Sequence, residues 1–184
     1  MKEETINRTS PDLKTIRIAI LSSFTLSGIE KVLTVQCANA GIKSEITVGP
    51  YNQAFQQIVD SDSALYQFKP KLIILILDIQ TLFGKLFLDP YSVSDKERRD
   101  WIENEKEKIL EMLESIKKHS SAKVLLHTLE RPSHSPLGFL ESKQSFGLLE
   151  AVDRLNDGLR QALKGDATVF LFDYNLFLSK TGQN

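Results

Sequence analysis

The chain has 184 residues, enough for one ordinary domain and too few for two cores of typical size. Its 23 Lys and Arg against 24 Asp and Glu leave a formal charge of −1, so there is no basic excess to hold a phosphate backbone, which argues against a nucleic acid partner. An apolar fraction of 41% and a charged fraction of 26% suit a folded domain rather than a disordered tail, and the longest aliphatic run, LIILIL at 72–77, is far below the roughly 20 residues of a membrane-spanning helix.

The first dozen residues, MKEETINRTSPD, are polar where a secretion signal is apolar, so a polar N-terminal tail (1–15) and a cytoplasmic address are expected. The run IRIAIL (16–21) reads as a first strand. Ser27 with Glu30 three residues on has the spacing of a capping box, and Ile29, Leu33, Cys37 and Ala40 then recur at helical intervals until Gly41. Leu33 and Cys37 are accordingly expected in the core, with Cys37 a packing residue. IKSEITV (42–48) alternates and reads as an edge strand; a weaker helix covers 52–60. LIILIL is a strand buried on both faces. Ser94 with Glu97 predicts a second capping box before a long amphipathic helix lined by Ile102, Ile109, Leu113 and Ile116, with Asp95/Arg99 and Glu114/Lys118 paired at i,i+4 outside. KVLLH (123–127) is the fourth strand, and the irregular stretch 130–146 is a candidate rim or lid. A last helix carries Leu148, Val152, Leu155, Leu159 and Leu163 up to Gly165, and TVFLF (168–172) is the fifth strand.

Strands alternating with helices wind by right-handed crossovers into a three-layer α/β sandwich around a five-stranded parallel sheet of flavodoxin-like order 2-1-3-4-5. The domain is expected over 16–178, with a short C-terminal tail at 179–184. Ligands of such sheets bind beyond the carboxyl ends of the strands, where the winding reverses between strands one and three. That rule selects Ser22, Ser23 and Thr25 after the first strand, Asp78 after the third, His127 at the end of the fourth and Asp173 at the end of the fifth. Each also has a plain structural role open to it, as turn, cap or wall residue. One cysteine and three histidines form no metal-binding spacing, and neither metal nor cofactor is expected.

Four stretches carry a resemblance: AILSSFT (19–25), YNQAFQQIVDSDSALYQFKP (51–70), RLNDGLR (154–160) and VFLFD (169–173). Together they resemble the N-terminal domain of FkbH-like proteins, over nearly the whole chain. In that family the domain is similar to SGNH (GDSL-type) hydrolases and precedes a haloacid-dehalogenase-type (HAD) phosphatase domain. Members are associated with glyceryl transfer from a phosphoglycerate donor to an acyl carrier protein in polyketide pathways. Against this resemblance Ser23 and Asp173 are the catalytic candidates, while Ser22, Thr25, Asp78 and His127, chosen by their place at the strand ends, and Asn156 are expected as ligand contacts. The resemblance further implies a HAD-type domain, or an acyl carrier protein with its phosphopantetheine arm, as partner.

An SGNH hydrolase needs a Gly-Asp-Ser nucleophile and a C-terminal Asp-x-x-His, because a serine hydroxyl is a poor nucleophile until a base takes its proton. Here Gly-Asp-Ser falls on Ser22-Ser23-Phe24; slipped by one residue, Ser23 is the nucleophile without its Gly and Asp. The histidine of Asp-x-x-His falls on Leu176, and Gly-x-Asn-Asp is absent around Asp78. The expectation is a degenerate domain that binds or docks. The alternative is an esterase or acyltransferase using Ser23 with a non-standard base, His127 or His134; a purely architectural domain is the third reading.

Overall fold

The computed structural model describes residues 15–182, built around five parallel strands in the order β2-β1-β3-β4-β5. In chain order the elements are β1 (Ile16–Ser22), α1 (Ile29–Asn39), β2 (Ser44–Val48), α2 (Ala54–Val59), α3 (Ala64–Gln67), β3 (Leu72–Ile76), α4 (Ile79–Phe83), α5 (Lys85–Leu88), α6 (Asp95–His119), β4 (Lys123–His127), a 3-10 turn (Gly138–Lys143), α7 (Leu148–Leu163), β5 (Val169–Phe172) and α8 (Tyr174–Thr181). The short helices α3, α4, α5 and α8 had no clear apolar period to announce them. Residues 179–181, expected in a tail, belong to α8; the rest of that tail (183–184) and residues 1–14 lie outside the described residues.

The register places Ile18, Ile20 and Ser22 beside Leu72, Ile74 and Ile76, and carries the same face on through Leu125, His127, Phe170 and Phe172. The opposite face, formed by Ala19, Leu21, Ile73, Leu75, Val124, Leu126 and Val169, is the one that builds the core. It packs with Ile58 of α2, Ile102, Ile109, Leu113 and Ile116 of α6, and Leu148, Val152, Leu155 and Leu159 of α7. Each fully buried aliphatic side chain contributes about 1.5–3 kcal/mol, so this face dominates the stability. The capping box of α6 forms as its spacing requires: the Ser94 hydroxyl accepts from the Glu97 amide at 3.3 Å, and the Glu97 carboxylate accepts from the Ser94 amide at 2.8 Å.

Four local expectations are corrected. The Ser27–Glu30 box does not form; α1 begins at Gly28, whose φ of 79° is open to glycine, and Ser27 makes no capping bond. Leu33 and Cys37 are half-buried rather than in the core, because α1 lies on the thinly covered face of the sheet and buries no residue fully. The ion pairs on α6 close at i,i+3: Asp95 pairs with Arg98, which turns inward instead of Arg99, and Glu114 pairs with Lys117, which also reaches Asp166. Finally, α7 ends without a left-handed glycine at Gly165; the Asp166 carboxylate instead accepts from the amides of Thr168 at 2.7 Å and Val169 at 3.0 Å.

Candidate functional site

Strand order brings the ends of β1, β3 and β4 side by side. The β1–β3 ladder continues one residue beyond β1, where the Ser23 amide donates to the Ile76 carbonyl at 3.1 Å and fixes Ser23 beside the residues that follow β3. Its hydroxyl donates to Asp78 Oδ2 at 2.7 Å and accepts from the Asp78 amide at 2.8 Å, closing a two-bond ring. Asp78 Oδ1 accepts from the Thr81 amide at 3.0 Å, so the same carboxylate caps α4. Burial pushes this carboxyl upward, but the hydrogen bonds from Thr81 and Ser23 and the nearby Gln80 amide outweigh it and hold Asp78 below its ordinary value. A carboxylate stabilised as an anion is a weak proton acceptor, and it leaves Ser23 a hydrogen-bonded alcohol.

The other strand-end residues are turned to the backbone. Ser22, buried at the end of β1, accepts from the Phe24 amide at 3.0 Å. Thr25 is exposed on the connection to α1. His127 spends both ring nitrogens: the Leu77 amide donates to Nε2 at 3.1 Å, and Nδ1 lies 2.6 Å from the Thr128 carbonyl. An amide donor facing Nε2 places the ring proton on Nδ1, and protonating Nε2 would set two donors against each other. Burial lowers the His127 pKa, against the upward pull of the Thr128 carbonyl and the Asp78 charge. A neutral ring locked at both ends is a wall residue, so neither the base nor the ligand contact considered for His127 has a nitrogen free to act.

Asp173 caps α8 through the Leu176 amide at 2.9 Å, and its other oxygen accepts from Arg160 at 3.2 Å. Leu176, at the position of an Asp-x-x-His histidine, is 53% exposed and offers no base. Asn156 is 2% exposed, and its amide grips the Leu129 backbone with both ends, Oδ1 accepting from the amide at 2.7 Å and Nδ2 donating to the carbonyl at 2.9 Å. It holds the connection after β4 and lies in the wall of the groove beside it. Asn175, which sequence reasoning passed over, donates to the same carbonyl at 2.9 Å and accepts from the Arg131 amide at 2.8 Å; its place inside Asp173–Leu176 was the signal available. An open groove of about 410 Å³ is lined by Asn156 and Asn175 together with Arg131, Asp153, Asp157, Arg160, Asp173 and Leu176, its arginines already facing carboxylates.

The connection 130–146 is anchored rather than loose. Buried Arg98 donates to the carbonyls of Phe146 at 3.1 Å and of Pro90 and Val93 at 2.7 Å each, and the Tyr91 and Ser135 hydroxyls both donate to Glu141. Among the described residues no group of three or more His, Cys, Asp or Glu side chains gathers as a metal site, and no helix is long and apolar enough to cross a membrane.

Comparison with known proteins follows the same lines. A family model described as FkbH, N-terminal domain, matches residues 17–184. Among solved structures, the N-terminal part of the protein BF1531 from Bacteroides fragilis, containing a phosphatase domain and complexed with Mg, is similar with a TM-score of 0.76 at 18% identity. The match covers 92% of this chain and 43% of that one, so the chain spans less than half of the Bacteroides protein. A mutant of Axe2, an acetyl-xylooligosaccharide esterase from Geobacillus Stearmophilus, is similar with a TM-score of 0.56 at 12% identity, over 89% of this chain and 80% of that one. At these identities both show a shared fold. No curated protein matches the sequence significantly.

Proposed function

We propose, from the premise that this chain belongs to the FkbH N-terminal domain family, that it is a non-hydrolytic docking domain. On this reading it works with a HAD-type phosphatase domain in transfer of a glyceryl or related acyl group to an acyl carrier protein. The observation that carries the reading is the Ser23–Asp78 ring, in which the one candidate nucleophile is bonded to a carboxylate and a backbone amide while Leu176 stands in the place of the base. The exposed Thr25 hydroxyl and the first turn of α1 are the surface assigned to the phosphopantetheine arm. A helix N-terminus stabilises an anion by only about 0.3–1 kcal/mol, so the arm needs further contacts from the carrier protein itself.

Two measurements test this. Fluorophosphonate probes should fail to label the chain rapidly, and p-nitrophenyl esters should be hydrolysed at background rate. Stoichiometric labelling abolished by Ser23→Ala would overturn the docking reading in favour of an esterase or acyltransferase. Titration with carrier protein should perturb Thr25 more when the phosphopantetheine arm is present; equal response to bare and modified carrier removes the arm from the proposal.

A further inference from the structure

A parallel sheet is normally covered by helices on both faces, because each face is apolar along its whole length. Here one face is covered by α2, α6 and α7, and the other only in part: Ile18 and Ile20 of β1 are buried, while the strands beyond it are not. At about 4.8 Å per strand, the five strands span about 19 Å from β2 to β5. Helix α1 lies against β2 at one side. Helix α8 shields the carboxyl end at the other side, Tyr174 against His127 with ring centroids 5.3 Å apart and Phe177 against Phe172 at 5.8 Å. Between them a strip over β3, β4 and β5 stays open: Ile74 and Leu125 are half-buried, and Phe170, Phe172 and Phe177 are 52%, 40% and 45% exposed. Two strand spacings make the strip about 10 Å wide, the diameter of one helix. Exposed aromatics on an uncharged edge strand are surface a soluble protein normally covers.

We infer that this strip seats one amphipathic helix belonging to the phosphatase-bearing partner. The inference rests on the partnership of the preceding section and adds the surface where it is made. Residues 1–14 do not suit the role, since Ile6 and Leu13 are the apolar pair sharing a helical face and Pro11 stands between them. A second copy of the chain burying this face is an outcome that the test below reads. The similar Bacteroides protein, by contrast, extends over more than twice the matched length and contains a phosphatase domain. An apolar helix face laid on Phe170, Leu125 and Ile74 would complete the three-layer sandwich.

The test is co-expression of the 184-residue chain with the phosphatase-type domain encoded in the same transcript. The expected result is a one-to-one complex in which the Ile74, Leu125, Phe170 and Phe177 side-chain resonances shift together. The double substitution Phe170→Glu/Phe172→Glu should weaken that complex about 30-fold or more, the scale of losing a central aromatic anchor. Phe177→Glu, on the exposed side of α8, serves as a second variant if β5 does not tolerate two charges. The inference is overturned if the transcript encodes no such domain, if no complex forms, if the complex ignores these substitutions, or if sedimentation equilibrium shows the chain burying this face in a dimer of its own. Carrier-protein binding at Thr25 is read in the same spectra. Loss of that response with the strip still occupied defeats the carrier-protein reading and leaves this surface standing, and the converse defeats the surface alone.

Discussion

Asn156→Asp separates a structural asparagine from a ligand contact, because it changes one atom in a site with known partners. In the wild type the side chain accepts from the Leu129 amide at 2.7 Å and donates to the Leu129 carbonyl at 2.9 Å, at 2% exposure. A neutral aspartic acid reproduces both bonds, the protonated oxygen donating to the carbonyl. An ionised one keeps the first and sets a negative oxygen against the carbonyl with no cation bonded there. Leaving a buried charge unpaired costs about 3–5 kcal/mol, so the introduced carboxyl should have a folded pKa well above that of the unfolded chain. The sign follows by linkage: its contribution is intact below the unfolded value near 3.9 and is lost as pH rises towards the folded value. Urea unfolding at pH 8 should show the variant about 3 kcal/mol or more below wild type, with the gap narrowing steadily towards pH 4. A gap that does not change with pH would refute the buried two-bond geometry. Carrier-protein affinity, compared under conditions where both proteins are folded, should not change.

Three further outcomes follow from other bonds. Asp78 is held below its ordinary pKa, so it contributes stability that is present above about pH 4 and lost as pH falls through its lowered value; Asp78→Asn should flatten the acid limb of the stability profile, read by thermal unfolding between pH 2 and 7. Arg98→Ala strips donors from three carbonyls that tie residues 90–93 and 146 to α6, and should cost about 2–4 kcal/mol and open the 130–146 connection to limited proteolysis, whereas cleavage at the wild-type rate would contradict the anchoring role. Leu113→Ala, fully buried between α6 and the sheet, should lower stability by about 2–5 kcal/mol in denaturant unfolding.

The strands and the core could be read from the sequence because both depend on apolar periodicity, which is local and repeated, and right-handed crossovers between the strands then point to the flavodoxin-like order. The strand runs at 72–77 and 123–127 and the α6 stripe through Ile109, Leu113 and Ile116 announce themselves by composition alone, but burial on both faces does not follow, since Ile74 and Leu125 on the second face are only half-buried. What failed depended on a choice between near neighbours. Ser27 and Gly28 compete for the start of α1, and glycine wins because the chain enters the helix at a φ of 79°, which costs a serine and not a glycine. Arg98 and Arg99 compete to turn inward, and three carbonyls from a distant loop decide it. The partial burial of Leu33 and Cys37 was invisible for a different reason. Their stripe is correctly apolar, but the stripe does not say whether the layer it joins is complete.

The strand ends show why motif and chemistry part company in this chain. Ser23, Asp78, His127 and Asp173 sit at or just past strand ends and Asn156 on α7, and a search for polar residue types finds every one. Their hydrogen-bonding capacity is spent inward: Asp78 and Asp173 cap helices, His127 and Asn156 bridge backbone amides and carbonyls, and Ser23 closes on Asp78. A serine hydrolase instead bonds its serine to a base that can take the proton and leaves donors free for the developing oxyanion. Satisfying these groups inward stiffens the carboxyl edge of the sheet. On the proposed docking role, such a preorganised surface loses less entropy when a partner binds. What stays uncovered lies elsewhere, on the apolar strip of Ile74, Leu125, Phe170 and Phe172, the surface proposed above for a partner.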